Sequence, residues 1–280
     1  MSTYELGLLV QIAINALMGM SAFVVLATGQ LTLGNAGFMA IGAYGASYAT
    51  VKLGLPLWLG IPAGALAAAV VGLAVGFPAL RLRGIYLAMA TFGFGLVIES
   101  FFLVFPPTGG ARGYFGMPGI EISAVLLWSS LALVPVYLLY RSDAWLAFRA
   151  TDDDEYAADL TGLDTTRLKV ASFTIGGALA GLAGTLYAHW FVYIEPRSFD
   201  FLVSIFAVLF VVLGGRHSFW GPLLGAAGLT LLPELARPLQ QWRPAFIGGL
   251  LILILVFRPG GLVGGRTRWL EPIRSLTGRA

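Results

Sequence analysis

Nine apolar segments, separated by short polar stretches, take up most of this chain. The hydrocarbon layer of a membrane holds no water for backbone groups to bond, so such segments must be helices or strands of a closed barrel. Several have close to the roughly 20 residues that a helix needs to cross a bilayer, and the last three are shorter. The sequence therefore predicts an all-α, polytopic transmembrane helical bundle of about eight or nine spans. The segments cover residues 5–28, 31–50, 56–79, 85–105, 122–140, 168–190, 199–213, 219–235 and 244–257.

The composition is that of a membrane protein. Of 280 residues, 58% are hydrophobic and 11% are charged, whereas an ordinary soluble domain has roughly 45–50% and about 25%. Such a chain lacks the polar residues to cover a soluble fold of this size. The absence of cysteine excludes a disulfide framework, a thiolate metal site and a cysteine nucleophile. The net charge of +3 is spread between apolar segments, which favours orientation in a membrane over nucleic-acid binding.

The distribution of lysine and arginine predicts how the bundle is oriented. With nine crossings and the C-terminus inside, twelve of the seventeen basic residues lie on the cytoplasmic side, as the positive-inside rule expects. This threading makes the loop 141–167 and the basic tail 258–280 cytoplasmic, and it places 106–121 and 191–198 outside. Residues 5–28 are longer than a signal-peptide core and follow no basic residue, so we expect a retained helix. The chain is then one transmembrane domain.

The stretch 31–45 carries glycine at positions 34, 37, 42 and 45. Glycines at this density are typical of a broken or half-buried helix, which is tolerated where the backbone lines a cavity. They would equally allow tight packing of neighbouring helices, and the residues leave both interpretations open. Asn35 lies within this stretch and is a candidate for lining a translocation path.

Glu99 is the least ambiguous ionisable residue within a long apolar segment. A carboxylate in the membrane is costly, so we expect it to face the bundle interior and to have a partner or water. Thr91 lies eight residues earlier, about two turns away on nearly the same helix face. Both are candidates for the translocation path, while structural hydrogen bonding or a position at the membrane interface is the alternative for Glu99.

The loop 141–167 is the one long hydrophilic stretch between membrane segments. Thr151, followed by Asp154, resembles a capping-box start, and the acidic residues that follow favour the positive end of a helix dipole. Gly162 supplies a stop. The pattern predicts a short helix over 152–161 with an apolar stripe of Tyr156, Leu160 and Leu163. The stripe favours a docking role, and a solvated linker is the alternative.

Motifs in six stretches, taken in order, give the chain a family resemblance. They are LTLGNAGFMAIGAY (31–44), LRLRGIYLAMATFGFG (80–95), TGGARGYFGMPG (108–119), residues 150–163 with their continuation RLKVASFTIGGALAGLAGTLYA (167–188), VVLGGRHSFWGPLLGA (211–226) and FRPGGLVG (257–264). Together they resemble the permease subunits of bacterial branched-chain amino acid ABC importers. The 80–95 block is similar to the LivM-like permease of that family and not to the LivH-like one.

The resemblance implies a single transmembrane permease domain over 1–280 and a role as one half of a type II ABC importer. It implies a second, LivH-like permease, two cytoplasmic ATPase subunits and a periplasmic solute-binding protein as partners, in a bacterial inner membrane. This chain would hold no cofactor, and ATP-Mg would bind in the ATPases, which agrees with the lack of a Walker A motif. The residues assigned to ATPase coupling are Asp152, Asp153, Asp154, Glu155, Tyr156, Ala157, Ala158, Leu160, Gly162 and Leu163.

The implied solutes are branched-chain or other hydrophobic amino acids, with urea or short amides as alternatives within the same family. Two positions depart from the family pattern. Asp152 stands where a basic residue is common, and Leu96 and Glu99 stand where relatives often carry an acidic and then a basic residue. A secondary carrier is the alternative from another class, since broken helices and buried acids are typical of carriers too. An intramembrane enzyme is disfavoured, because His189 and His217 lack any catalytic motif.

Overall fold

The computed structural model describes residues 3–79, 82–235, 248–249, 252 and 260–263. Within them the chain is almost entirely helical. The predicted ninth segment at 244–257 and the tail 258–280 lie outside the described residues apart from these isolated positions. The helices are α1 Thr3–Leu26, α2 Asn35–Val51, α3 Leu57–Ala79, α4 Ile85–Val104, α5 Ile122–Tyr140, α6 Asp143–Asp153, α7 Glu155–Leu160, α8 Thr165–Phe191, α9 Phe201–Gly214 and α10 Trp220–Leu235. Three short 3-10 helices are Pro106–Thr108, Gly110–Arg112 and Pro196–Phe199.

Six stretches of the described chain are helical, long and apolar enough to cross a membrane. The helices α2 and α10 have 17 and 16 residues and fall below that length. The structure thus supports an all-α, multi-pass membrane protein with six clear spans in its described part. The six are Tyr4–Leu26, Leu57–Ala79, Ile85–Val104, Ile122–Tyr140, Thr165–Phe191 and Pro196–Gly214.

The helix α8 lies at the centre of the bundle and contacts α1, α2 and α3. Small residues let the backbones approach closely. A Cβ added to Gly184 would lie 1.9 Å from the carbonyl oxygen of Met39, and one added to Gly42 would lie 2.1 Å from that of Gly181. Without a hydrophobic driving force inside a bilayer, such close contact is a main source of helix association. Tight packing of small residues is therefore one role of the glycines in 31–45.

The same stretch is also interrupted, because residues 30–34 are not helical and α2 begins only at Asn35. Gly34 is the N-cap and offers no side chain to accept a hydrogen bond from the first turn. The broken-helix interpretation thus describes the start of 31–45, before Asn35, and tight glycine packing describes its helical part around Gly42.

A two-residue strand pair joins two loops at one end of the bundle. Strand β1 (Tyr114–Phe115) pairs antiparallel with β2 (Tyr193–Ile194). The loops 106–121 and 191–198, which the sequence places on one side of the membrane, are thus in contact. Elsewhere in the described chain, Arg83 and Lys169 form ion pairs with Glu155, and Arg216 forms one with Asp152.

Candidate functional site

The predicted coupling helix over 152–161 is wrong in its start, because the chain forms two helices around Asp154. The first, α6, continues through Asp153, and the second, α7, begins at Glu155. Thr151 is inside α6, where its hydroxyl donates to the carbonyl oxygen of Ala147, 2.9 Å away, instead of capping a helix. Asp154 is the N-cap, and its carboxylate accepts from two backbone N–H groups of the first turn of α7, at 3.0 and 3.1 Å. A carboxylate at this position also gains from the helix dipole.

The end of α7 is the one that the sequence predicts. Gly162 has a φ of +88°, the left-handed conformation that favours glycine. Its N–H donates to the carbonyl of Asp159, and the N–H of Leu163 donates to that of Ala158, at 3.0 and 3.2 Å. This hydrogen-bond pattern is a Schellman motif. A Cβ at Gly162 would meet no atom within 4 Å, so backbone conformation alone requires glycine here.

Leu160 provides the main exposed apolar surface of α7. Its side chain is 89% exposed, more than any other large hydrophobic residue of the described chain. Leu163 is half-buried, and the Tyr156 ring stacks on the guanidinium of Arg83, whose carbon lies 5.1 Å from the ring centre. The predicted stripe is therefore narrower than expected, with Leu160 at its centre. Ala157 is exposed beside it and Ala158 is buried against the bundle.

Ion pairs of Glu155 link the start of α7 to α8 and to the residue before α4. The Glu155 carboxylate lies 2.6 Å from the Nζ of Lys169 on α8 and 3.6 Å from the guanidinium of Arg83, just before α4. Arg83 also donates to the Tyr156 hydroxyl at 2.9 Å. That hydrogen bond and the charge of Glu155 raise the pKa of Arg83. The side chain of Lys169 is only 9% exposed, so its ion pair with Glu155 is shielded from water on one side.

An ion pair of Asp152 links the end of α6 to another element. Asp152 forms this ion pair of 2.5 Å with Arg216, in the turn between α9 and α10. The turn after α1 also packs here, since a Cβ on Gly29 would lie 3.2 Å from the Cα of Asp152. Gly29 has a φ of +74°. Asp152, which stands where a basic residue is common in the family, thus has its charge partner within this chain. Asp153 is exposed and forms no ion pair with any described residue.

His217 lies beside this ion pair. Burial lowers its pKa, and the positive charges of Arg149 and Arg216 lower it further, against an opposite effect of Asp152 and Asp153. The other histidine, His189, is fully buried in α8 and bonds the carbonyl of Thr185 at 2.9 Å. It is a structural member of the core.

The structure places the three translocation-path candidates differently. Thr91 is buried on α4, and its hydroxyl oxygen accepts from the N–H of Leu33 at 3.0 Å, so it supports the non-helical stretch before α2. Asn35 is 1% exposed at the start of α2, and its Nδ2 has no partner in the described chain. Glu99 is half-buried on α4 and forms no ion pair or hydrogen bond with a described residue.

Sequence reasoning missed a cavity of about 700 Å³ between α1, α8, α9 and α10. Gln11, Asn15 and Thr230 supply polar groups among apolar side chains, and the Nδ2 of Asn15 donates to the Thr230 hydroxyl at 2.8 Å. A signal was present, since Gln11 and Asn15 are four residues apart and share one face of an apolar helix. The lining also includes Met18, Met39 and Phe210.

These features define a class: an α-helical, multi-pass membrane protein. It has enclosed polar groups within the bundle and a short helix held rigidly outside the membrane spans. The chain belongs to the family described as branched-chain amino acid transport system, permease component, which matches residues 5–256. It is therefore a permease and not an enzyme.

Three relatives illustrate the likeness. The high-affinity branched-chain amino acid transport system permease protein LivM of Salmonella typhimurium is 34% identical over 288 residues, which cover 90% of this chain and 66% of that protein. LivM of Escherichia coli is 34% identical over 93% of this chain and 70% of its own length. LivH of Escherichia coli is 29% identical over 52% of this chain and 48% of its own length. The chain thus spans about two thirds of the LivM proteins. No solved structure matches it.

Proposed function

We propose that this chain is a permease subunit of a type II ABC importer that moves branched-chain or other hydrophobic amino acids across a bacterial inner membrane. Membership of the permease family and the names of the LivM relatives support this proposal. The bundle is one permease domain over 1–280 with eight or nine spans. The C-terminal tail 258–280 is cytoplasmic, as the distribution of basic residues favours.

Partner subunits supply the energy and the solute. The partners are a LivH-like permease, two ATPases that bind ATP-Mg, and a periplasmic solute-binding protein. This chain holds no cofactor. LivM and LivH relatives both match it, which supports pairing between two homologous permeases.

The coupling role belongs to α7, with Leu160 as its contact. The observation that supports it is the combination of an 89% exposed leucine with a helix held at its start by Asp154 and Glu155 and at its end by Gly162. An apolar side chain on a fixed helix can enter a groove and be desolvated there, which is how interface hot spots contribute affinity. Ion pairs to α8 and to the start of α4 would carry the resulting motion into the bundle.

The translocation path includes Asn35 and Glu99, with Thr91 supporting the non-helical stretch at 30–34. Buried polar groups and a broken helix within the bundle are features that membrane transporters use to bind solutes. The buried, unpartnered amide of Asn35 supports its place in this path.

Uptake by cells tests the solute class. A strain that lacks its own branched-chain amino acid importers would express this permease with its partner subunits and receive radiolabelled L-leucine, L-valine, urea or acetamide. The proposal expects saturable leucine and valine uptake that depends on this chain. Uptake of urea or acetamide without uptake of either amino acid would contradict it.

A further inference from the structure

The start of α2 lies beside the first turn of α9. Ser204 of α9 is ten residues before Gly214, the last residue of that helix, and thus about 15 Å from its end. The hydroxyl oxygen of Ser204 accepts from the N–H of Ala36 at 2.9 Å, which fixes the start of α2 at the same depth. With the end of α9 at one edge of a hydrocarbon core about 30 Å thick, α2 begins near the middle of that core.

Hydrogen-bond donors gather at this point without acceptors. The backbone N–H groups of Asn35 and Gly37 have no partner among the described residues. The Nδ2 of Asn35 has none either, and the residue is 1% exposed. Ser204 uses its oxygen to accept from Ala36 and donates its hydrogen to no described acceptor. Buried donors without acceptors are costly, so this arrangement indicates a group that brings its own lone pairs.

The helix dipole adds to these donors. The N-terminus of α2 carries partial positive charge, and Gly34 as N-cap offers no side-chain oxygen to neutralise it. A helix N-terminus without a capping side chain can bind an anion. In membrane transporters, discontinuous helices point their N-termini at anionic groups of the transported solute.

We infer that the N-terminus of α2, with the Asn35 amide and the Ser204 hydroxyl, binds the carboxylate of the transported amino acid. This inference rests on the proposed function and names the part of the solute that this chain recognises.

The cavity provides an approach to these donors. Its lining includes Trp190, next to strand β2, and Met39 of α2. Met39 follows Asn35 by four residues and so shares its helix face. The donors are enclosed in this conformation, and Met39, which lines the cavity, is 5% exposed. Methionine has three flexible side-chain bonds, so a rotamer change of Met39 would open the cavity toward Asn35.

The test compares Asn35→Asp, Ser204→Ala and the control Ser47→Ala in the complete importer. Aspartate has the shape of asparagine and favours a helix N-terminus, but it exchanges the donor for a negative charge. Ser47 is likewise buried, and its hydroxyl donates to a carbonyl within α2. We expect leucine uptake to fall at least tenfold in Asn35→Asp and severalfold in Ser204→Ala. Ser47→Ala should keep uptake near the wild-type rate, and all three should unfold within a few degrees of the wild type.

A second readout identifies the carboxylate. The purified wild-type complex should be protected against thermal unfolding by L-leucine and by isovalerate, which has the carboxylate, but not by leucinol, which lacks it. Asn35→Asp should lose this protection. If Asn35→Asp does not fold, the same three ligands are tested on Ser204→Ala, which should show weaker protection than the wild type. Equal protection by leucinol, or wild-type uptake in both variants, would overturn the inference. Failure of the wild-type importer to take up leucine would instead remove the proposed function.

Discussion

Asp152 has its charge partner within this chain. It is one of three consecutive aspartates, and Arg216 neutralises it while Gly29 packs against its backbone. Arg216 is 53% exposed at its side chain, so the pair itself contributes roughly 0.2–1 kcal/mol, as exposed ion pairs do. Its importance is geometric, because it ties the end of α6 to the turn between α9 and α10.

We therefore expect Asp152→Arg to be damaging. The sequence alone predicts a mild effect, since related permeases commonly have a basic residue there. In the structure the change places two guanidinium groups side by side. Purified Asp152→Arg complexes should retain less ATPase than the wild type, and Asp152→Arg combined with Arg216→Asp should regain much of the loss. Equal retention in the single and double variants would show that the ion pair has no role.

Gly162→Val tests the end of α7. A non-glycine residue in the left-handed conformation costs roughly 1–2 kcal/mol, and a β-branched one strains it further, so the last turn should shift and displace Leu160. Gly54→Val is a matched control, because Gly54 has a φ of +65° with no atom within 4 Å of a built Cβ. We expect both variants to lose similar thermal stability, and only Gly162→Val to lose ATPase-coupled uptake. Similar uptake in the two would contradict the coupling role.

At the scale of elements, the proposed coupling role of α7 depends on Leu160. Leu160→Asp should leave the permease in the membrane but release the ATPases, because burying an unpaired charge at an interface is costly. The control is Leu53→Asp, which changes a 64% exposed leucine in the loop between α2 and α3. The ratio of ATPase to permease after affinity purification is the measurement. Full retention in Leu160→Asp would remove the assignment.

The helix α4 carries the other element-scale prediction. Glu99 is half-buried on it without a described partner, and the proposed function includes it in the translocation path. Glu99→Gln removes the charge and keeps the shape, and we expect uptake to fall about tenfold at unchanged membrane yield. Unchanged uptake would assign Glu99 to a structural or interfacial position.

Long apolar helices were predictable from the sequence, and α5 at 122–140 has the predicted bounds. Polar loops mark the ends of these helices, and an apolar segment in lipid has few structures available to it other than a helix. The break at Asp154 was not predicted, because Thr151 and Asp154 are both good caps and only tertiary contacts choose between them. The Asn35 and Ser204 arrangement was also beyond the sequence alone. It depends on α2 and α9 meeting across 168 residues of chain.

At the scale of the whole molecule, the outer helices are apolar and poorly covered. Only 17% of the α5 span and 22% of the α4 span are buried, against 72% for α8. Lipid or a second permease covers such faces in a membrane protein. The proposed contact between α7 and the ATPases further requires that α6 and α7 lie on the cytoplasmic side of the membrane.

Cysteine labelling tests that side, because the chain has no native cysteine. Ser123→Cys and Ala144→Cys introduce exposed thiols near opposite ends of α5. In intact spheroplasts, an impermeant maleimide should label the first and should reach the second only after lysis. Labelling of Ala144→Cys from outside would invert the topology.

The central claim is that ATP hydrolysis in partner subunits drives solute through this permease. The direct measurement is L-leucine accumulation by proteoliposomes that contain the complete purified complex, with ATP inside the vesicles and loaded binding protein outside. We predict leucine accumulation against its gradient. This accumulation requires ATP, continues when ion gradients are collapsed, and falls to background with Leu160→Asp. Accumulation driven by an ion gradient with this chain alone, in the absence of ATP, would contradict ATP-driven transport and identify a secondary carrier.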